Sequence, residues 1–249
     1  MTRVGWLADN PGYVGGAELT ERELRAACPD GVEIVDCPPG HVQPCDVYAI
    51  HNCVTYTVED LKRVADPPAY KLWNDVGSWY GEDMRGWLDV HARPICISPL
   101  QAGYMGYKDP LIIPPPIGLD RFQRAAERVN GDRRGAVSVG SWRSRGKGAH
   151  RAQQWAEGNG GIDFYGGGVF APPGSREIAP PGLPAILARY RTFVYLPEVI
   201  EPFGRCVAEA WAAGCELVIN GLVGARYWIE EQPDRLATAA EDFWTALLT

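Results

Sequence analysis

No run of eighteen apolar residues occurs in the 249-residue chain, so it offers no candidate for a membrane-spanning helix. The start of the chain carries a charge and an early Gly-Trp instead of a signal peptide's apolar core, and a cytoplasmic location is the expectation. Seven cysteines, an odd number, contain no Cys-x-x-Cys pair, which points to reduced thiols in a reducing compartment. An excess of positive charge is also missing: the net charge is −7, which argues against holding nucleic acid by an overall field. "WRSRGKGAHR" (Trp142 to Arg151) is nevertheless locally basic. No Gly-x-Ser-x-Gly nucleophile elbow and no repeat of fixed period is present.

What the chain does contain is alternation. "RVGWLAD" reads as a strand, followed by a glycine-rich turn and by "AELTERELRAAC" with apolar residues at helical spacing. "VEIVDC", "CDVYAIHN", "YKLWND" and "RPICIS" are further strands bounded by Pro, Gly, Asn or Asp. Such alternation predicts parallel sheets wrapped by helices. "LIIPPPIGLDRF" interrupts it, since three successive prolines fit neither a helix nor a central strand, and an extended connector is expected there. The second half resumes with "GAVSVGS", "IDFYGGG", "TFVYLP" and "CELVIN" as strands. The expected fold class is therefore α/β, with two Rossmann-like doubly wound domains over 1–116 and 117–249 facing a cleft.

Several motifs offer chemistry, and each has a plainer reading. In "DNPGYVGGAE", Gly12, Gly15 and Gly16 would free backbone amides to approach an anion at a helix start, or merely turn the chain. "GSWRSRGKG" fails as a P-loop, because five residues, not four, separate Gly140 from Gly146 and Gly148, not Ser or Thr, follows Lys147. It still supplies Arg143, Arg145 and Lys147 between a strand and a helix. "FYGGGVFA" has a nominal dinucleotide fingerprint, but Pro172 and Pro173 replace the required helix, which excludes a hydride-transfer cofactor. Gly166 and Gly167 keep backbone contacts to a base or phosphate open. Cys37, His41, Cys45, His51 and Cys53 cluster in sequence, yet their spacing matches no common zinc site, and no metal is expected.

The most informative stretch is "EVIEPFGRCVAEAWAAGCELVIN" (Glu198 to Asn220). Gly204 opens a helix whose first amides lack intrahelical partners. Glu201 and Glu209 flank that start, where they could accept hydrogen bonds from sugar hydroxyls, or be two ordinary exposed glutamates.

Taken together these stretches resemble the family-four retaining glycosyltransferases of the two-Rossmann-domain (GT-B) fold. "EPFGRCVAEAWAAGCELVIN" is similar to that family's Glu-x-Phe-Gly-x-x-x-x-Glu-Ala-x-Ala-x-Gly-x-Pro-Val segment, departing at Glu216, where proline is usual. "VGGAE", "IIPPPIGLDRF" and "VGS…KG" resemble its N-terminal glycine loop, its interdomain segment and its lysine loop, in the family's order. The resemblance implies a nucleotide-diphosphate sugar as donor, with no cofactor and no metal. It assigns Glu209 to the ribose hydroxyls and Glu201 to the donor sugar, with Pro202, Phe203, Gly204 and Arg205 beside them. It assigns Lys147 to the diphosphate and Gly15 and Gly16 to phosphates approached from the first domain. Three departures stand out. Ser141 replaces an arginine, so Arg143 or Arg145 must substitute. Asn74 precedes Asp75 where a histidine is often found, with His51 as a stand-in. The first domain, which would hold the acceptor, is short for the family. The donor base stays open among UDP, GDP and ADP. The acceptor stays open among a sugar, lipid, protein or modified nucleobase, DNA included. A catalytically silent sugar-nucleotide-binding protein and a sugar-nucleotide epimerase are the alternative readings.

Overall fold

The computed structural model of the chain describes residues 1–9, 15–64, 67–78, 80–129, 131 and 133–249. Gly12 therefore lies outside the described residues. The chain divides into two compact units, Met1–Pro116 with Asp234–Thr249, and Ile117–Pro233.

In the first unit the elements run β1 (Thr2–Leu7), α1 (Gly16–Ala26), β2 (Val32–Asp36), β3 (Val47–Ile50), α2 (Val58–Lys62), β4 (Ala69–Trp73), α3 (Glu82–His91), β5 (Arg93–Cys96), α4 (Pro99–Met105) and β6 (Leu111–Ile112). All strand pairs are parallel, in the order β2-β1-β3-β4-β5-β6. Val4, Trp6 and Leu7 of β1 are buried, as are all of β3 and β4, the near-continuous burial of a parallel sheet covered on both faces. Ser98 caps α4 by accepting from the Gln101 amide at 3.2 Å, and Pro99 occupies the first turn, where its missing N–H costs nothing.

The second unit contains α5 (Leu119–Glu127), β7 (Arg134–Val139), α6 (Ala149–Glu157), β8 (Ile162–Tyr165), α7 (Leu183–Leu187), β9 (Tyr190–Tyr195), α8 (Arg205–Ala212), β10 (Glu216–Ile219) and α9 (Ala225–Glu231). Its parallel sheet has the order β10-β9-β7-β8, so β7 and β9 are neighbours although two crossovers separate them in sequence.

The last element corrects the expected boundary. Helix α10 (Arg235–Leu248) belongs to the first unit, so the second ends at Pro233 and not at Thr249. The physical reason is its apolar stripe. Leu236, Ala239, Phe243, Trp244 and Leu247 recur at helical spacing and are buried. Phe243 and Trp244 lie against Trp6 with ring centroids 6.0 and 6.1 Å apart, and the Trp244 indole donates to Leu24 O at 2.9 Å.

Replacing Trp244 by alanine should cost about 3–5 kcal/mol in the first unit, the usual range for a buried aromatic. Hydrogen exchange is the measurement. Protection should fall in β1 and α1 and persist in β7 and β9; an even loss across both units would refute the assignment of α10.

Candidate functional site

In the second unit Lys147, Glu201, Phe203, Arg205 and Glu209 lie at or near the start of α8. After β7 the chain turns at Gly140, and Trp142 is fully buried, its indole donating to Tyr165 O at 3.1 Å. The Trp142 amide donates to Gly167 O at 2.9 Å, which ties the loops after β7 and β8 together. Gly166 permits this approach: at φ 105°, a Cβ there would lie 1.9 Å from Gly140 O. Ser141, Arg143 and Arg145 are exposed on the resulting loop.

A single 3-10 turn, Arg145–Lys147, then brings Lys147 inward. It ends at Gly148, whose φ of 75° and whose approach to Leu196 O, 1.9 Å from a hypothetical Cβ, leave no room for a side chain. The Glu198 amide donates to Gly146 O at 2.8 Å and fastens the turn to the segment after β9.

Glu201 is fixed from both sides. Its amide donates to Leu222 O at 2.8 Å, its carbonyl accepts from the Gly224 amide at 3.0 Å, and it forms a parallel bridge with Val223. The Lys147 ammonium donates to Glu201 Oε2, and the Tyr195 hydroxyl donates to the same oxygen at 2.7 Å. Burial, followed by the Glu201 charge, pushes the Tyr195 hydroxyl well above its ordinary pKa, so it remains a donor. Phe203 is buried and its carbonyl accepts from the Ala225 amide at 2.7 Å. Gly204 follows at φ 80° and caps α8 without a side chain.

Within α8, Glu209 is buried and not an exposed helix former. Arg205 Nε donates to its Oε1 at 3.0 Å, and the Arg121 guanidinium lies 3.9 Å from the same oxygen. The Cys206 thiol is pushed up by burial and by the Glu209 and Glu201 charges, so it stays protonated. No acidic residue stands in the first turn of α8. Its positive dipole end and Lys147 therefore suit an anion, and the two carboxylates are groups of the kind that can accept from hydroxyls. The loop after β8 borders a cavity of about 390 Å³ lined by Gly166, Gly167 and Glu177 to Ala179. Tyr195 and Arg121 were not singled out in the sequence. A tyrosine closing the "TFVYLP" strand and an arginine just inside the "GLDRF" helix are the signals that mark them.

The first-unit predictions fare differently. Gly15 has φ −111° and Gly16 is not left-handed, so neither uses glycine's freedom. The Gly15 amide donates to Glu18 Oε2 at 2.7 Å. A carboxylate thus already stands where the glycine loop was expected to receive an anion. His51 and Asn74, at the ends of adjacent strands β3 and β4, are brought together, with Asn74 Nδ2 and His51 Nε2 3.1 Å apart. His51 is buried, which lowers its pKa to about 3, with nearby Lys71 adding to the effect. Asp75 accepts from the Gly77 amide at 2.5 Å. Among the described residues no three His, Cys, Asp or Glu side chains converge as metal ligands, and no helix is long and apolar enough to cross a membrane.

No family model and no curated protein matches the chain. Solved structures do. Anabaena HepE, solved with UDP and glucose, superposes with a TM-score of 0.65 at 14% identity, over 99% of this chain and 95% of HepE. AviGT4, a glycosyltransferase of avilamycin A biosynthesis, gives 0.65 at 15%, over 100% of this chain and 92% of its own. A UDP-forming trehalose-phosphate synthase from Burkholderia xenovorans gives 0.52 at 14%, over 84% and 67%. At these identities the likeness carries the fold: two Rossmann-like units of the GT-B type.

Two outcomes follow from the site. Gly148→Ala should destabilise the second unit by about 2 kcal/mol or more, because the left-handed turn and the Leu196 contact both resist a Cβ; denaturant titration reads this. His51 stays neutral in the folded chain, whereas unfolded it binds a proton near pH 6.5. Folding stability should therefore fall by up to about 1.4 kcal/mol per pH unit below about 6.5. His51→Gln should flatten that acid limb.

Proposed function

We propose that the chain is a metal-independent retaining glycosyltransferase, hexosyltransferase-like, that moves a sugar from a nucleotide-diphosphate sugar to a hydroxyl acceptor. The observation that carries this reading is the Lys147–Glu201 pair at the acid-free start of α8, with Glu209 buried one helical turn inside. Lys147 and the α8 amides would receive the diphosphate, and Arg143 or Arg145 would stand in for the arginine that Ser141 replaces. Glu201 would accept from donor-sugar hydroxyls, and Glu209, held in place by Arg205, from the ribose. Gly166 and Gly167 border a cavity with room for a base. HepE has been solved with UDP-glucose, which makes UDP-glucose the first donor to try.

In the reaction the acceptor hydroxyl oxygen bonds to the anomeric carbon as the bond from that carbon to the diphosphate oxygen breaks. The acceptor proton passes to the departing diphosphate on the same face, which retains configuration. Charge gathers on the diphosphate, and Lys147 with the α8 N-terminus is placed to stabilise it without a divalent cation. The second reading, a catalytically silent sugar-nucleotide-binding protein of the same fold, is favoured by Ser141 and Asn74, the two departures from the family pattern.

A screen of nucleotide sugars that reads released nucleotide tests catalysis and names the base together. Lys147→Ala and Glu201→Ala should each lower release by at least about 100-fold, the scale for removing one transition-state donor. Full activity in both variants removes the mechanism. Tight calorimetric binding of a donor with no release selects the silent reading.

A further inference from the structure

The sequence cluster of Cys37, His41, Cys45, His51 and Cys53 has no part in the site of the second unit. Folding takes it apart as a metal site. His51 turns to Asn74, and among the described residues no three metal-ligating side chains converge. Cys37 and Cys45, however, meet.

Strand register brings them to one face of the sheet. Gly5 of β1 pairs with Val35 of β2 on one side and with Tyr48 of β3 on the other. Cys37 lies two residues beyond Val35, and its amide continues the ladder by donating to Trp6 O at 3.0 Å. Side chains two apart on a strand share a face, so Cys37 is on the side of Gly5, Val35 and Tyr48. Cys45 Sγ is there too: a Cβ added to Gly5 would lie 3.2 Å from it. The Cys45 thiol is within hydrogen-bonding reach of Cys37, and both pack in one apolar cluster.

The chain holds this meeting from both ends. The Cys37 carbonyl accepts from the Tyr56 hydroxyl at 2.6 Å, and the Cys45 amide donates to the Tyr48 hydroxyl at 3.0 Å. Between them the loop reverses at Gly40, with φ 78°, whose amide donates to Asp60 Oδ1 at 2.8 Å. Cys37 is fully buried and Cys45 half-buried, so one sulfur can be reached and the other stands behind it.

We propose that Cys37 and Cys45 are a reversible thiol–disulfide pair, oxidised by exchange with a small disulfide such as oxidised glutathione. Cys45 sulfur, as thiolate, attacks one glutathione sulfur; the glutathione S–S bond breaks and one glutathione thiol leaves with the Cys45 proton. Cys37 sulfur then attacks Cys45 sulfur, and the second glutathione leaves with the Cys37 proton. The pair gives up two electrons and two protons, and the glutathione disulfide takes both. Closure draws the sulfurs to about 2 Å, a step that side-chain rotation covers. Burial, and then Cys37, pushes the Cys45 thiol up to about 11, so it rests protonated and exchange is slow near neutral pH. The equilibrium, not the rate, is therefore the quantity to read. This chemistry is independent of any transferase activity.

Equilibration of the full chain with graded ratios of oxidised to reduced glutathione tests it, followed by acid quenching and mass spectrometry. Cleavage before Asp36 and Asp46 releases a peptide in which Cys37 and Cys45 are the only cysteines. That peptide should lose two hydrogens in one step, without a glutathione adduct. Cys37→Ser should instead accumulate glutathione on Cys45, and Cys45→Ser should show neither product. The wild-type chain in urea is a reference that needs no variant. The equilibrium constant for the bond should be at least about tenfold larger folded than unfolded, because the fold already holds the loop closed. The proposal is overturned if both thiols of the peptide stay free while other cysteines oxidise. It is equally overturned if glutathione adducts replace the internal bond in the wild type, or if folding leaves the constant unchanged.

Discussion

One carboxylate oxygen, Glu201 Oε2, receives both the Lys147 ammonium and the Tyr195 hydroxyl, and the second unit is arranged around that meeting. Lys147 comes from the loop after β7, Tyr195 from the end of β9, and Glu201 from a segment laced to Leu222 and Gly224. The sheet order places β7 and β9 side by side, so the loops leaving their carboxyl ends are neighbours by construction. Two glycines then become obligatory. Gly148 lets the lysine turn rest against Leu196 O, and Gly204 lets the chain swing from Glu201 into α8, where a Cβ would press on Val223 at 3.0 Å.

The starts of α1 and α8 show opposite treatments of the same physics. Both present orphan amides and a positive dipole end. Helix α8 leaves its first turn free of acids and has a lysine nearby, which suits phosphate oxygens. Helix α1 turns its own Glu18 back onto the Gly15 amide, neutralising the same attraction. Similar glycine-to-helix sequences therefore carry different chemistry, and the acid three residues into the helix decides which.

Much of this was legible in the sequence because it rests on local rules. The alternation of strands and helices gave the doubly wound class, and the Glu201 to Glu209 stretch marked the start of α8. Glu209's burial was not legible: a glutamate inside a helix reads as solvated until Arg205 and Arg121 are seen to approach it from one turn back and from another helix. The setting of the Gly15 amide was not legible either, since Gly15 and Gly16 announce freedom of φ but it is Glu18 that the amide meets. Helix α10 was assigned to the wrong unit because its stripe fixes only that it is buried. Which sheet it covers depends on Trp6 and Leu24, more than two hundred residues earlier in the chain.

The first-unit histidine bears on the proton route of the proposed transfer. Asn74 Nδ2 can only donate, so His51 Nε2 accepts and the ring proton sits on Nδ1. That Nδ1 is buried without a partner among the described residues, and Lys71, whose ammonium donates to the carbonyls of His51 and Leu72, disfavours a second positive charge beside it. His51 has its basic nitrogen already engaged and its ring 1% exposed, so it is a poor general base at any physiological pH. In the proposed transfer, where the leaving diphosphate takes the proton, no base is asked of the first unit, so Asn74 at a position where a histidine is often found would not by itself forbid turnover.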